Sequence, residues 1–252
     1  RIVLVNDATP DPRIADYLDQ FANHLSVLLL KNNRNLGFVG SVNRALDQLR
    51  DEDVVLLNAD TIVPRDFVAR LAKAAASDPG IGTVTPLSNN GEETSFPITN
   101  QANPIGSVDE VLAIDEIAAA VNAGRIVDIP SGTGFCLYIT RECLDAVGSL
   151  SEDYHRGYVE DVDFCLHARS KGFRNVCAPS VYVGHAGGKS FGQEKRALVV
   201  RNYAVLDRRY PTYQAESAAF NFADPLAPAR QAIERAMAPS GRRPRLLLTG
   251  SG

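Results

Sequence analysis

VVLLNADT, residues 54–61, decides the fold: four apolar residues stop abruptly at Asn58, Ala59 and Asp60. An apolar run bounded in this way predicts a buried strand of a parallel sheet with polar residues at its carboxyl end. Ligands of open α/β sheets bind beyond those ends, so we expect Asp60 beside a ligand. The alternative is that Asp60 or Thr61 only caps the following helix, which is the commoner outcome for one isolated motif.

Two side chains of this stretch have the chemistry of a cation site. Asn58 and Asp60 are two residues apart and therefore share one face of the strand. An oxygen pair suits a hard divalent cation, Mg²⁺ or Mn²⁺, which can bridge the two phosphates of a nucleotide-sugar. His185 follows the last predicted strand, residues 176–183, and can complete the metal site or contact phosphate. A single histidine is more often structural.

The amino-terminal part predicts three strand-and-helix units. The strands are residues 1–6, 25–30 and 54–57, and the helices begin near Pro12, Gly37 and Pro64. Such a succession predicts a parallel sheet with right-handed crossovers. The second helix opens from a loop that contains Arg34 and Asn35. Helix amino termini attract anions, so this loop is either a phosphate site or an ordinary connection.

The middle of the chain changes character. Residues 87–107 are rich in Asn, Pro, Gly and Ser without periodicity, which predicts a functional loop. Ser107 and Glu110 fit a capping box for a helix that ends near residue 122. Two strands, residues 126–129 and 135–139, are predicted around the turn PSGTG, residues 130–134.

A group of carboxylates begins a later helix. In GYVEDVDFCLHARSK, residues 157–171, Glu160, Asp161 and Asp163 lie in the first turn. Acidic residues there are stabilised by the helix dipole, which is the simpler explanation. The dipole also favours an ionised carboxylate near neutral pH, as a general base requires.

Composition excludes several classes of protein. A net charge of −4 and a pI of about 5.6 argue against nucleic-acid binding. The four cysteines form no CxxC pair and lie in apolar segments, which favours reduced thiols in the cytoplasm. No apolar run approaches the roughly 20 residues of a membrane helix. We interpret residues 1–222 as one domain and residues 223–252 as a linker with the start of a truncated second domain.

Six segments in this order carry a family resemblance over about residues 1–215. They are VNDATPDP (5–12), NLGFVGSVNRAL (35–46), LLNADT (56–61), SGTGFCLYITRECLDAVG (131–148), GYVEDVDFCLHARSKGF (157–173) and GHAGGKSFG (184–192). Together they resemble the family 2 inverting glycosyltransferases of GT-A fold. The resemblance implies an α/β, Rossmann-like and mostly parallel sheet flanked by helices.

The resemblance also implies roles for particular residues. The nucleotide-sugar would contact Asp7, Arg34, Asn35, Gly37, Asn43, Asn58 and Asp60. The family's DxD motif falls on residues 58–60, and its metal would be held by Asp60 and His185. The family's ED motif falls on Glu160 and Asp161, with Asp161 as the catalytic base. The acceptor side would comprise Gly132, Gly134 and Glu160.

The chain departs from the family pattern in two places. Asn58 replaces the first aspartate of DxD, which shifts the metal onto Asp60 and His185. A preceding strand and helix that bind the nucleotide are missing, so we expect an N-terminally truncated domain with a vacant strand position.

The function expected from this resemblance is metal-dependent sugar transfer with inversion, from a nucleotide-diphosphate-sugar to a hydroxyl acceptor. The LLNADT variant resembles members that build bacterial cell-surface polysaccharides, with a glycan or lipid-linked glycan acceptor. Such an enzyme would act in the cytoplasm or at the inner face of the membrane, by peripheral association, and its parent chain could carry a second glycosyltransferase domain. The alternatives are a non-catalytic nucleotide-sugar-binding module and a nucleotidyltransferase, although no glycine-rich basic signature follows the first strand.

Overall fold

The computed structural model describes residues 1–24, 26–154, 158–187 and 194–238, without the side chains of residues 194–198. The strands β1 to β8 are, in order, Ile2–Asn6, Val27–Lys31, Val54–Leu57, Thr61–Ile62, Ile81–Ser88, Val127–Asp128, Cys136–Ile139 and Arg174–His185. The helices α1 to α9 are Pro12–Phe21, Gly37–Leu46, Phe67–Ala75, Val108–Val121, Arg141–Val147, Glu160–Ser170, Glu194–Arg209, Tyr213–Ala223 and Ala227–Met237. Within the described residues, α8 is a helix that the sequence did not predict.

Local signals fix the helix ends. Asp11 caps α1, with Pro12 at the first helical position, as predicted. The capping box is present at α4. Ser107 Oγ accepts the Glu110 backbone N–H, and Glu110 Oε2 accepts the Ser107 backbone N–H. The aperiodic segment contains only a short 3₁₀ turn, Glu92–Thr94, between β5 and α4. These local interactions are short-range, so the sequence alone predicted them.

The larger sheet is mixed, not mostly parallel as predicted. Its order is β3-β7-β5-β8-β4, with β6 paired to β8. Within it only β5 and β8 pair in parallel, whereas β3–β7, β5–β7, β4–β8 and β6–β8 are antiparallel. An apolar run predicts a buried strand but does not encode its direction, which depends on the connection that precedes it.

The first two strands form a separate parallel sheet. β1 pairs with β2, and no pairing joins either of them to β3 among the described residues. Helix α2 contacts β1 and also packs Phe38, Val42 and Leu46 against the cluster that contains Val54 and Leu56 of β3. One helix therefore bridges two sheet pieces, each of which has an unpaired edge.

The carboxyl-terminal helix belongs to the same core. Leu226, Ala229 and Ile233 are fully buried, and Leu226 and Ile233 pack in one cluster with Ala118 of α4. Helix α9 therefore packs against α4 in the described structure, and the domain limit at residue 222 stays a prediction. The part of the predicted second domain beyond residue 238 lies outside the described residues. No helix in the described part is long and apolar enough to cross a membrane.

Candidate functional site

One half of the candidate site lies where β4 pairs with the end of β8. The antiparallel register sets Thr61 opposite His185. Asp60 Oδ1 lies 3.6 Å from His185 Nε2, and Asn58 Nδ2 lies 3.4 Å from the same nitrogen. Asp60 Oδ2 accepts the backbone N–H of Gly187 at 2.9 Å. Three side chains that the sequence proposed as metal or nucleotide-sugar contacts therefore converge on one point.

The ring of His185 is held in one orientation. Its Nδ1 lies 2.8 Å from the carbonyl oxygen of Asn90, which can only accept, so Nδ1 carries the proton in the neutral ring. The Asn89 side chain holds the backbone of His185 with two hydrogen bonds. Its Oδ1 accepts the His185 N–H, and its Nδ2 donates to the His185 carbonyl. The ring of Phe135 stacks on the imidazole with centroids 5.1 Å apart. Nε2 is consequently the accepting nitrogen, which faces Asn58 Nδ2 at 3.4 Å and lies beside Asp60.

This donor set fits a divalent cation. A ligating histidine commonly donates its second N–H to a carbonyl, as His185 does. Carboxylate and amide oxygens suit Mg²⁺ and Mn²⁺. No group of three His, Cys, Asp or Glu side chains that could hold a metal occurs in the described ranges, and the third side chain beside Asp60 and His185 is an amide, Asn58. The protein would supply few ligands, and phosphate oxygens would have to supply others.

The other half of the site is the amino terminus of α6. Asp161 Oδ2 accepts the Gly134 N–H at 2.6 Å, and its Oδ1 accepts the Val162 N–H at 2.9 Å. A Cβ at position 134 would lie 3.2 Å from Asp161 Oδ2, so only glycine leaves this approach unstrained. At position 132 a Cβ would lie 2.5 Å from Leu137 Cδ1, so Gly132 serves core packing in the same turn.

The backbone that enters α6 is strained. Tyr158 and Val159 both have left-handed φ angles, 74° and 79°. That conformation is a genuine outlier for a β-branched residue, and such strain concentrates at functional sites. It turns the chain sharply into α6, so that Glu160 is buried and Asp161 faces Gly134.

Burial shapes the protonation of both acidic residues. It raises the pKa of Glu160 to about 8, and the neighbouring charge of Asp161 adds to this increase. Burial also raises the pKa of Asp161, against the opposing hydrogen bonds from the Gly134 and Val162 amides. Glu160 Oε2 has no hydrogen-bond partner among the described groups. The helix dipole favours the ionised form of Asp161, as expected, whereas desolvation favours the neutral form.

Residues 134 and 135 join the two halves. The Gly134 N–H holds Asp161, the Phe135 carbonyl accepts the Asn58 N–H at 2.9 Å, and the Phe135 ring stacks on His185. A displacement of this turn would therefore change both halves together.

The predicted nucleotide residues of the first sheet have structural partners. Asp7 accepts the N–H groups of Leu36 and Gly37 at 2.7 and 2.9 Å, and the Asn32 amide at 2.8 Å. The Asp7 carboxylate thus accepts the backbone N–H groups at the start of α2. The sequence analysis named the loop before this helix as a possible phosphate site. Asn35 Oδ1 also accepts from Gly37, and Arg34 is exposed.

Asn43 bridges distant segments. Its side chain donates to the Leu150 carbonyl and accepts the Leu150 N–H, both at 2.9 Å. Asp163 is likewise structural, because it accepts from Tyr154 Oη and pairs with Arg209. The glycine-rich loop at residues 188–192, with Lys189, lies outside the described residues.

Sequence reasoning missed one feature beside this site. Helix α8 and the loop after β5 line a cavity with tyrosine, amide and carboxylate side chains. The amide-rich composition of residues 87–107 was the one available signal, since α8 has no distinctive motif.

Comparisons place the chain among known proteins. A family model described as glycosyltransferase like family 2 matches residues 2–202. The chain is 25% identical over 256 residues to uncharacterized protein y4gI of Sinorhizobium fredii, covering 93% of this chain and 26% of that protein. It therefore spans about a quarter of this relative's length.

Two solved structures are similar in fold. Mannosyltransferase PcManGT of Pyrobaculum calidifontis, in complex with GDP-Man and Mn²⁺, has a TM-score of 0.59 at 21% identity, covering 96% of this chain and 67% of that one. GalNAc-T7 with UDP, GalNAc and Mn²⁺ has a TM-score of 0.61 at 15% identity, covering 93% and 48%. At these identities the likeness shows the fold alone.

Proposed function

The chain belongs to the family described as glycosyltransferase like family 2, and from that premise we propose that it moves a sugar from a nucleotide-diphosphate-sugar to a hydroxyl acceptor with inversion. The mixed α/β sheet flanked by helices matches the GT-A structures. The single observation that carries the proposal is the link through residues 134 and 135. It joins an acidic group, Asp161, to a cation-type donor set at Asp60 and His185.

Asp161 acts as the general base. The acceptor hydroxyl oxygen forms a bond to the anomeric carbon while the bond from that carbon to the diphosphate breaks. The hydroxyl proton passes to Asp161, and the nucleoside diphosphate leaves. One displacement at the anomeric carbon inverts its configuration. The Gly134 N–H fixes one carboxylate oxygen and thereby orients the group that receives the proton.

Asn58, Asp60 and His185 would hold Mg²⁺ or Mn²⁺. When bound, the cation would neutralise the negative charge of the departing diphosphate. The protein's own contribution is orientation. Asn90 fixes the tautomer of His185, and the Gly187 N–H fixes one oxygen of Asp60. Both contacts hold the ligating atoms in position in the absence of a bound ion.

Glu160 tunes Asp161. Two neighbouring carboxylates in a poorly solvated place cannot both ionise easily, so the proton stays on one of them over a wide pH range. Asp161 accepts two backbone N–H groups that stabilise its charged form, whereas Glu160 Oε2 has no partner among the described groups, so the shared proton belongs on Glu160 and Asp161 is the charged base. Glu160 thus belongs beside the acceptor side as a positioning and tuning group.

The finer assignments follow the same family resemblance. We propose a hexosyl donor, a glycan or lipid-linked glycan acceptor, and a role in bacterial cell-surface polysaccharide synthesis at the cytoplasmic face of the membrane. The four buried, unpaired cysteines support a reducing compartment. A second glycosyltransferase domain in a longer parent chain remains part of this proposal.

We also propose that a further strand, from outside residues 1–252, lies between β1 and β3. The support is that both strands have an unpaired edge within the described structure while α2 packs on both. Hydrogen exchange tests this. Backbone amides of β1 and β3 should exchange faster than those of β5, which pairs on both sides. Equal protection of all three strands would contradict a vacant position.

A non-catalytic nucleotide-sugar-binding module is the second candidate. Asn58 favours it, because a neutral amide holds a cation less tightly than the aspartate of the family motif. A screen of nucleotide-sugars for thermal stabilisation with Mn²⁺ or Mg²⁺, followed by analysis of any glycoside product, separates the two. Stabilisation with inverted product supports the enzyme, stabilisation without product supports the module, and no stabilisation by any nucleotide-sugar contradicts both.

A further inference from the structure

A cavity of about 410 Å³ lies between the loop at residues 90–102 and helices α7 and α8. Its size falls in the range of roughly 300–1,000 Å³ found for small-molecule sites. Asp7, Asp60 and Asp161 are not among the described residues that line it. The cavity is therefore a compartment of its own beside the site described above.

The lining has the chemistry of a sugar site. Five of its side chains are amides, and it includes the rings and hydroxyls of Tyr203 and Tyr213. Side-chain amides both donate and accept hydrogen bonds, and so do the hydroxyl groups of a sugar. Tyrosine adds apolar surface with a polar tip for the less polar face of a sugar ring.

Its walls are fixed by side-chain contacts. Glu93 is 6% exposed and accepts a 2.8 Å hydrogen bond from Ser217 Oγ of α8. Asn100 of the loop donates to Asn221 Oδ1 of α8 at 2.9 Å. These two contacts tie the loop to the helix, so the cavity is preformed and not a gap between independent segments.

Two polar groups are left to meet a ligand. Neither the Gln101 amide nor the Tyr203 hydroxyl makes a hydrogen bond to another group in the described ranges. Burial raises the pKa of Tyr203 to about 12, so its hydroxyl stays protonated and able to donate at neutral pH. Both groups line the cavity without a side-chain hydrogen bond to the part of the chain that the structure describes.

The charge of the lining selects the ligand class. The carboxylate of Glu93 lines the cavity, and no lysine or arginine is among its described lining residues. Carboxylates repel uronic acids, phosphates and the diphosphate of a nucleotide. The cavity therefore favours a neutral sugar ring.

Two of the lining residues contact the two halves of the site. The carbonyl of Asn90, a lining residue, holds the His185 ring. Tyr213 Oη, also in the lining, lies 2.8 Å from Ser131 Oγ, in the turn whose Gly134 holds Asp161. The negative charge of Asp161 contributes to the raised pKa of Tyr203.

From this position and chemistry we propose that the cavity binds a neutral sugar ring of the acceptor, with Gln101 and Tyr203 as the residues that select it. The inference rests on the proposed function, because it takes Asp161 as the base that the acceptor hydroxyl meets.

Binding to the 252-residue chain tests this without requiring turnover. The probes are p-nitrophenyl glycosides of neutral hexoses and 6-deoxyhexoses, each with the matching uronic acid, titrated by saturation-transfer NMR in the presence of UDP or GDP with Mn²⁺. The variants are Tyr203→Phe and Gln101→Ala, and Gln20→Ala on the exposed side of α1 is the matched amide control. Thermal midpoints confirm that each variant folds.

We expect at least one neutral glycoside to bind saturably and its uronic acid to bind much more weakly. Loss of a hydrogen-bonding group should weaken binding by at least about 10-fold in either cavity variant, with nucleotide affinity unchanged within about 2-fold. The control should match the parent chain. Absence of glycoside binding, equal binding by the variants, or a loss of nucleotide affinity instead would overturn the proposal.

The two levels of proposal fail separately. Nucleotide binding without variant-sensitive glycoside binding removes the acceptor cavity and leaves the proposed function standing. Variant-sensitive glycoside binding without any nucleotide or nucleotide-sugar binding contradicts the proposed function and retains the cavity as a sugar site.

Discussion

The Gly134 amide donates a 2.6 Å hydrogen bond to Oδ2 of Asp161, across 27 residues of sequence. The contact depends on the missing side chain at position 134, because a Cβ there would lie 3.2 Å from the same oxygen. The next residue, Phe135, stacks on His185. One turn therefore contacts both the proposed base, Asp161, and a proposed cation ligand, His185.

Gly134→Ala should displace Asp161 by a few tenths of an ångström without removing any ionisable group. Misplacement of a catalytic group by about 1 Å can cost about 100-fold, so we expect a fall of roughly 10-fold in kcat. Affinity for the nucleotide-sugar should change little. Steady-state kinetics against the parent chain measure this, and an unchanged kcat would show that the contact does not position the base.

Glu160→Gln should alter how stability depends on pH. The pKa of Glu160 is about 8 in the folded chain against 4.5 for the free side chain, so the folded state binds more protons between those values. The free energy of unfolding contributed by this group therefore falls as pH rises from about 4.5 to 8. Glutamine cannot titrate and removes that slope.

Urea unfolding at pH 5 and pH 8 tests the Glu160 prediction. The stability of the variant relative to the parent should be higher at pH 8 than at pH 5 by more than about 1.4 kcal/mol, the equivalent of one pKa unit. A constant difference across this range would mean that Glu160 is ionised in the folded chain.

Asp60→Asn should weaken metal-dependent binding of the nucleotide-sugar. Asp60 is the one carboxylate of the donor set with Asn58 and His185, so its loss leaves only neutral ligands. We expect affinity in Mn²⁺ to fall at least about 10-fold, or about 1.4 kcal/mol, and to lose its sensitivity to chelator. Asp109→Asn, an exposed carboxylate of α4, is the control. Parent-like affinity in both conditions would place the cation elsewhere.

Asn43→Ala distinguishes a structural amide from a nucleotide contact. The variant loses two hydrogen bonds to the Leu150 backbone and leaves those groups unpaired, so we expect a loss of about 1–3 kcal/mol in stability. Nucleotide-sugar affinity should stay within about 3-fold, measured well below the melting temperature. Reduced affinity with unchanged stability would instead support the nucleotide contact that the family resemblance implies.

The sequence predicted what short-range chemistry determines. Helix limits followed from caps such as Asp11 and Ser107, whose partners are two or three residues away. The strand-end pattern also pointed to Asp60 and His185, which lie 3.6 Å apart in the structure. Their roles as metal ligands stay predictions.

Long-range partners escaped sequence reasoning. Asp7 and Asn43 form their bonds with residues about 30 and 107 positions away, and no local pattern announces such contacts. Strand direction failed for the same reason, because burial gives apolar runs whichever way a strand points. Helix α8 lacks a motif, so the cavity that it completes could not be predicted.

Transfer by the Asp161→Asn variant is the most direct test of the central claim. Asparagine keeps the size of the side chain and can still accept the Gly134 N–H, but it cannot take up the acceptor proton. The transfer rate should fall by about 100-fold to 10,000-fold, while nucleotide-sugar affinity stays within a few-fold. Transfer at the parent's rate by this variant would contradict the assignment of Asp161 as the base.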